Sequence, residues 1–98
     1  MKFNTKVIHG NQHHDPSTGA VMPPVYQTST FVQTSPGVPL AEYEYSRAAN
    51  PTRTALEQAL ASIENGARGL AFSSGWAATE SVMKLLKPGD EVIAMDDL

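Results

Sequence analysis

Five of the seven prolines, Pro16, Pro23, Pro24, Pro36 and Pro39, fall in the first fifty residues of a 98-residue chain. Each removes a backbone donor and fixes φ, so no long helix or central strand runs through this half. Asp15-Pro16-Ser17-Thr18-Gly19 is a turn, with Asp and Ser bonding locally and Gly admitting positive φ. Pro23-Pro24 forces an extended path and keeps Met22 out of helix. Val25 to Val32, rich in β-branched and aromatic residues, permits a short extended segment, and Ser35 to Pro39 reads as a loop. An arm of this kind, residues 1–50, has no core of its own. It must lie across something else or stay disordered.

The second half is patterned differently. Asn50 suits an N-cap, Pro51 the first helical position, and Glu57 the early turns. Leu56, Ala59, Leu60 and Ile63 recur at helical spacing, and Gly66 offers a stop, so a helix is expected over about 51–65. Gly69 to Phe72 reads as a strand, Ser73-Ser74-Gly75 as a turn, and Trp76 to Leu86 as a helix with Val82, Leu85 and Leu86 inward. Pro88-Gly89-Asp90 turns the chain into a second strand, Glu91 to Met95. Strand, helix and strand in that order form a βαβ unit, with parallel strands and a right-handed crossover. The fold class is α/β: an arm over 1–50, then the start of an open sheet domain over 51–98. Fewer than half the residues remain for a core, below the roughly 70 that usually suffice unaided. The sequence is therefore expected to be an incomplete piece of a longer chain.

Charge and composition exclude several functions. The net charge is −3, and the seven Lys and Arg are scattered, with none between Lys6 and Arg47. That argues against a nucleic-acid surface. The chain has no cysteine, hence no disulfide, thiolate nucleophile or cysteine-held metal. No apolar run approaches the roughly 20 residues of a membrane span. No apolar segment follows Lys2 and Lys6, so no secretory signal is expected and a cytoplasmic location is. His9, His13 and His14 lack a spacing that puts metal ligands on one face, and no metal is expected.

Two stretches carry chemistry. Tyr43-Glu44-Tyr45-Ser46-Arg47 leads through Ala48-Ala49 to Asn50-Pro51-Thr52-Arg53, placing two tyrosines and two arginines just ahead of a helix. Phenol hydroxyls and guanidinium forks present fixed donors to phosphate or carboxylate oxygens, although a solvated loop feeding a helix has the same composition. Ser73-Ser74-Gly75-Trp76 joins a strand to a helix, where free N–H groups meet the positive end of the dipole. Ser with Gly also starts helices that bind nothing. The dinucleotide fingerprint and the Walker loop are both absent, which favours a simple phosphate or a phosphate-bearing cofactor over a nucleotide.

Together these motifs resemble the N-terminal part of the Cys/Met-metabolism family of pyridoxal-phosphate enzymes, the trans-sulfuration group. The resemblance extends over Ile8-His9-Gly10, the run Asp15 to Pro24, Tyr45-Ser46-Arg47 with Asn50-Pro51-Thr52-Arg53, Ser73-Ser74-Gly75 with Ala77-Ala78, and Met95 to Leu98. It implies the beginning of the large domain of a fold-type I PLP-dependent transferase. It also implies that Tyr45 and Arg47 hold the cofactor phosphate of a neighbouring subunit while the amides of Gly75 and Trp76 hold it from within. A homo-oligomer, a dimer of dimers, follows from that division. At Trp76 relatives usually carry Met or Leu, so here an indole is expected to serve as a core aromatic.

Glu44 is the expected substrate contact. An acid before Tyr-Ser-Arg resembles the cystathionine γ-lyase and γ-synthase branch, where a carboxylate can meet the distal ammonium of an amino-acid substrate. The implied chemistry is γ-elimination or γ-replacement on cystathionine or activated homoserine. Methionine γ-lyase, O-acetylhomoserine sulfhydrylase and a non-catalytic phosphate-binding remnant are the alternatives. No catalytic residue is expected in this chain: Lys84 and Lys87 close a helix, where cations suit the dipole, and neither is placed to bond the cofactor.

Overall fold

Helix α2 (Pro51–Ile63) is the element against which the arm is laid. It starts where its residues dictate. The Asn50 side chain accepts from the Thr52 amide at 2.9 Å, and Pro51 fills the first position, where the missing N–H leaves nothing unpaired. Its end differs from the expected glycine stop. Asn65, with φ 53°, takes the left-handed position, and the Gly66 amide reaches back to the Ala61 carbonyl at 2.8 Å. This is a Schellman closure in which asparagine does the work expected of glycine. The computed structural model describes residues 1–97; Leu98, at the end of the expected domain, lies outside them.

The arm contains a helix that proline counting does not reveal. Helix α1 (Phe3–His9) has no side-chain N-cap and no acid in its first turn, so nothing in its own sequence announces it. Seven residues are marginal as an isolated helix, and its stability comes from docking. Lys6 Nζ donates to the Ser62 carbonyl at 3.0 Å and to Asn65 Oδ1 at 2.7 Å, a cation at the C-terminal end of the α2 dipole. Gly10 ends α1 against α2, and a Cβ there would stand 2.7 Å from Ser62 Oγ. Gln12 Nε2 donates to the Ala55 carbonyl at 2.8 Å.

The Asp15 turn forms as read. Its carboxylate accepts from Thr18 Oγ1 at 2.6 Å and from the Ser17 amide at 3.0 Å, with Gly19 at φ 73°. The loop expected over Ser35–Pro39 is instead the tip of a hairpin, β1 (Gln33–Ser35) with β2 (Val38–Pro39), antiparallel. Pro36 and Gly37 (φ 76°) occupy the turn positions that suit each of them. Among the described residues, the Val25–Val32 segment forms one isolated antiparallel bridge, Thr30 with Tyr45, and the Val32 carbonyl accepts from the Leu40 amide at 3.0 Å.

Helix α3 (Gly75–Met83) begins at an Ser74 N-cap whose hydroxyl accepts from the Ala77 amide, and it ends three residues sooner than the periodicity suggests. The expected inward residues are not covered: Val82, Leu85 and Leu86 are exposed, and so is Trp76 at 74%. Gly69–Phe72 and Glu91–Met95, read as parallel strands, run without ladder partners among the described residues. Two such strands and one short helix bury too little to offset the entropy of ordering them. The same shortage shows throughout. Ala61 is the one buried apolar side chain among the described residues, and the radius of gyration is 17.3 Å, against about 13 Å for a closed domain of this size.

Where the chain does pack, it packs on α2. Gly69 lies so close that an added Cβ would fall 2.4 Å from the Glu57 carbonyl oxygen, while at Gly75 it would meet open space. Gly69→Ala should cost about 1–3 kcal/mol in urea unfolding, and Gly75→Ala at most about 0.5 kcal/mol. Equal effects would contradict the close approach. The Thr18 and Ser17 bonds hold the Asp15 carboxyl below its ordinary pKa. Its contribution to stability is complete above that ordinary value and is lost as the pH falls through the depressed one. A carboxyl-carbon NMR titration should place Asp15 below a free aspartate, and Thr18→Val should move it up.

Candidate anion site at the start of α2 and α3

The nine residues from Tyr45 to Arg53 separate into two groups. Ser46, Asn50, Thr52 and Arg53 are engaged with the protein itself. The Ser46 amide donates to the Ser29 carbonyl at 2.8 Å and its hydroxyl to the Thr28 carbonyl. Asn50 Nδ2 donates to Ser46 Oγ at 2.7 Å and to the Tyr26 carbonyl at 3.2 Å, and Thr52 Oγ1 accepts from the Tyr26 amide at 2.8 Å. These bonds sew Tyr26–Ser29 of the arm to the beginning of α2. Arg53 donates to the carbonyls of Ser46 at 3.1 Å, Ala48 at 2.7 Å and Arg47 at a longer 3.4 Å. Of the two arginines that spacing made equivalent, this one is committed to backbone.

Tyr45 and Arg47 are the other group. Both are exposed, and the Arg47 guanidinium sits 4.9 Å from the centroid of the Tyr45 ring, a cation–π contact that sets the two side by side. Among the described residues neither the phenol nor that guanidinium has a hydrogen-bond or ion-pair partner. Their backbone is fixed: Tyr45 bridges to Thr30, and its carbonyl accepts from the amides of Ala48 and Ala49, each at 2.9 Å. The neighbouring Tyr43 ring lies 5.5 Å from that of Phe31, and burial pushes its phenol above its ordinary pKa. Glu44, the expected substrate contact, is exposed and accepts from Gln33 Nε2 at 3.2 Å.

At α3 the Ser74 hydroxyl takes the Ala77 amide, which leaves the N–H groups of Gly75 and Trp76 without an acceptor among the described residues. Gly75 is open to approach. The Trp76 side chain is exposed rather than in a core, and its amide is what faces the helix end. Two free amides on a helix dipole, a phenol and a guanidinium are donors suited to a dianionic phosphate, so these residues fit a phosphate-bearing cofactor. No hydrogen bond or ion pair among the described residues joins the Tyr45–Arg47 loop directly to the first turn of α3.

The cavities lie elsewhere. One of about 500 Å³ is lined by Tyr43, Arg53, Glu57 and Arg68, and one of about 330 Å³ by His13, His14, Tyr26 and Gln58. Neither of these two includes Tyr45, Arg47, Gly75 or Trp76. No group of three His, Asp or Glu gathers as metal ligands among the described residues.

Residues 4–98 match the model of the Cys/Met metabolism PLP-dependent enzyme family. The chain belongs to that family. It is 55% identical over 96 residues to a cystathionine beta-lyase of Coxiella burnetii, covering 98% of this chain and 24% of that protein. A cystathionine gamma-lyase of Dictyostelium discoideum is 50% identical over 97 residues, 99% of this chain and 25% of the relative. Among solved structures, cystathionine gamma-lyase from Lactobacillus plantarum, complexed with L-serine, superposes with a TM-score of 0.78 at 49% identity, covering 92% of this chain and 23% of that one. The chain thus spans about a quarter of the length of these relatives. Its α/β fold is that of the corresponding part of those enzymes, and pyridoxal 5'-phosphate is the family's cofactor.

What sequence reasoning missed is the role of Ser46, Asn50, Thr52 and Arg53 as scaffold. Their polar identity was visible, but their partners lie 18 to 26 residues away in the arm for Ser46, Asn50 and Thr52. Asn50→Ala removes a cap and two donated bonds at once and should cost about 2 kcal/mol in chemical denaturation. Asn50→Asp keeps the cap and should lose about half of that.

Proposed function

We propose that these residues form the phosphate-holding part of a PLP-dependent trans-sulfuration enzyme acting on cystathionine or activated homoserine. The observation that carries the reading is the set of unengaged donors: the Arg47 guanidinium and Tyr45 phenol on one loop, and the Gly75 and Trp76 amides on one helix end. Arg47 would hold the phosphate with its planar fork of N–H donors and Tyr45 would add a phenol donor, orienting the cofactor through its least reactive end. The amides of Gly75 and Trp76 add dipole stabilisation without any side chain having to reorganise. When bound, the cofactor supplies the electron sink for the carbanion chemistry.

Tyr45 and Arg47 serve the cofactor of a neighbouring subunit in this reading, and Gly75 and Trp76 that of their own, making the working unit a homo-oligomer. Glu44 holds the distal ammonium of the substrate. It stands one residue before Tyr45, exposed, its carboxylate bonded only to Gln33 among the described residues, and that amide is readily displaced by a cation. A second reading, elimination at the β carbon, is favoured by the name of the Coxiella burnetii relative. No helix among the described residues is long and apolar enough to cross a membrane, and a cytoplasmic location remains part of the proposal.

The test compares pyridoxal phosphate with unphosphorylated pyridoxal, titrated into the apo form of the protein expressed from its complete reading frame. Arg47→Ala should weaken binding of the phosphorylated compound by about 10- to 100-fold, the range of a charged hydrogen-bond pair. Affinity for pyridoxal should stay unchanged. Equal losses for both, or none for either, would sink the assignment.

A further inference from the structure

Arg53 breaks a local rule. It stands in the first turn of α2, where the helix dipole favours an acid and no acid is present. Its ion pair with Glu57, four residues on, has the cation on the N-terminal side, the less favourable order for helix support. An unfavourable choice at one level marks a residue held for another reason. That reason is visible in its partners. The guanidinium fork gathers the carbonyls of Ser46, Arg47 and Ala48, three consecutive peptides that include the one carrying the Arg47 side chain. Its Nε lies 3.9 Å from Glu57 Oε1, and that same oxygen accepts from the Ala71 amide at 2.9 Å. Ala71 lies three residues before Ser74, the cap of α3. Gly69, on the same stretch, is pressed against the Glu57 backbone.

We propose that Arg53 is a positioning residue for the cofactor phosphate. With Glu57 it sets both the loop that presents Tyr45 and Arg47 and the stretch that leads into the Ser74–Trp76 helix start. The proposal rests on the reading of Arg47 as a phosphate ligand. Under that reading the two donor groups belong to different cofactors, so one ion pair registers two cofactor sites against each other. Arg53 itself touches no cofactor, because its fork is filled by backbone carbonyls. A lysine cannot replace it: three rotatable donors on a point charge do not reproduce a planar fork across three peptides.

The experiment uses the protein from its complete reading frame, in apo form, with the affinities for pyridoxal phosphate and for pyridoxal as readouts. Arg53→Lys and Arg53→Met should each weaken the phosphorylated compound about tenfold and leave pyridoxal unchanged. Glu57→Gln, which keeps the acceptor for Ala71 but drops the charge, should give a smaller loss of the same selectivity and serves where an Arg53 variant fails to fold. In an Arg47→Ala background, Arg53→Met should add clearly less than it costs in the parent protein, because the part of its effect transmitted through Arg47 is already gone and only the part through Tyr45 and the Ser74–Trp76 helix start remains. Losses that add in full, or that fall equally on pyridoxal, overturn the positioning role while leaving the phosphate reading intact. An Arg47→Ala variant with unaltered preference for the phosphate overturns that reading and this proposal together.

Discussion

The clasp between the beginning of α2 and the arm is the interaction on which the rest depends. Asn50 works in two directions at once. Its oxygen caps the helix through the Thr52 amide, and its amide nitrogen holds Ser46 and the Tyr26 carbonyl. A capping aspartate would satisfy the helix alone, and a serine would reach neither arm contact. Because the cap and the clasp share one side chain, forming α2 and laying down the arm are coupled. The Tyr45–Arg47 loop is the short piece of chain held between them. Its orientation is therefore set by the helix rather than by its own sequence.

Polar contacts carry this organisation because apolar burial does not. With Ala61 alone buried among the apolar side chains described, the hydrophobic term that usually dominates folding is nearly missing. Net contributions of about 1 kcal/mol per hydrogen bond accumulate in the clasp but cannot substitute for a core. The apolar residues are present and unused: Leu70, Phe72, Trp76, Ile93 and Met95 are all exposed. Their positions follow the extended–helix–extended order that the periodicity indicated. The chain holds the apolar pattern of a sheet domain and, in the described residues, too few neighbours to cover it. The relatives it matches are about four times as long.

Legibility followed the range of the determining interaction. The Asn50-Pro51 start of α2, the Ser74 cap and the Asp15 turn each depend on partners two or three residues away, and all three were readable from the sequence. Helix α1 was not, because Lys6 and Gly10 find their partners at Ser62 and Asn65, more than fifty residues on. Asn65 took the left-handed position expected of the adjacent glycine, a substitution between two residues that both tolerate it. The strands at 69–72 and 91–95 had the right residues, but a strand is completed by its neighbour, which no local pattern supplies. For the site, residue type and spacing showed that Tyr45, Arg47 and Arg53 were candidates of equal standing. The family resemblance had singled out Tyr45 and Arg47, and the geometry adds the reason Arg53 differs: it holds backbone carbonyls while the Arg47 guanidinium is left free among the described residues.

That separation bears on what a motif match means here. Tyr-Ser-Arg-x-x-Asn-Pro-Thr-Arg reads as one binding signature, yet its members alternate in role. Tyr45 and Arg47 point outward from a backbone fixed by Ser46 between them, and Arg53 closes the loop from behind. A free guanidinium on a mobile loop would lose much of its phosphate affinity to the entropy of ordering it. The scaffold residues spare that cost in advance, and the price is three peptides with no freedom to rearrange. Such a loop suits a ligand held permanently at one end and little moved during turnover, which is the demand a phosphate-anchored cofactor makes. It suits poorly a loop that must close and open on each substrate. Under the proposed function, the constraint suits a standing anchor at Tyr45 and Arg47, with the substrate left to side chains outside the clasp, such as Glu44, whose carboxylate bonds to the Gln33 amide.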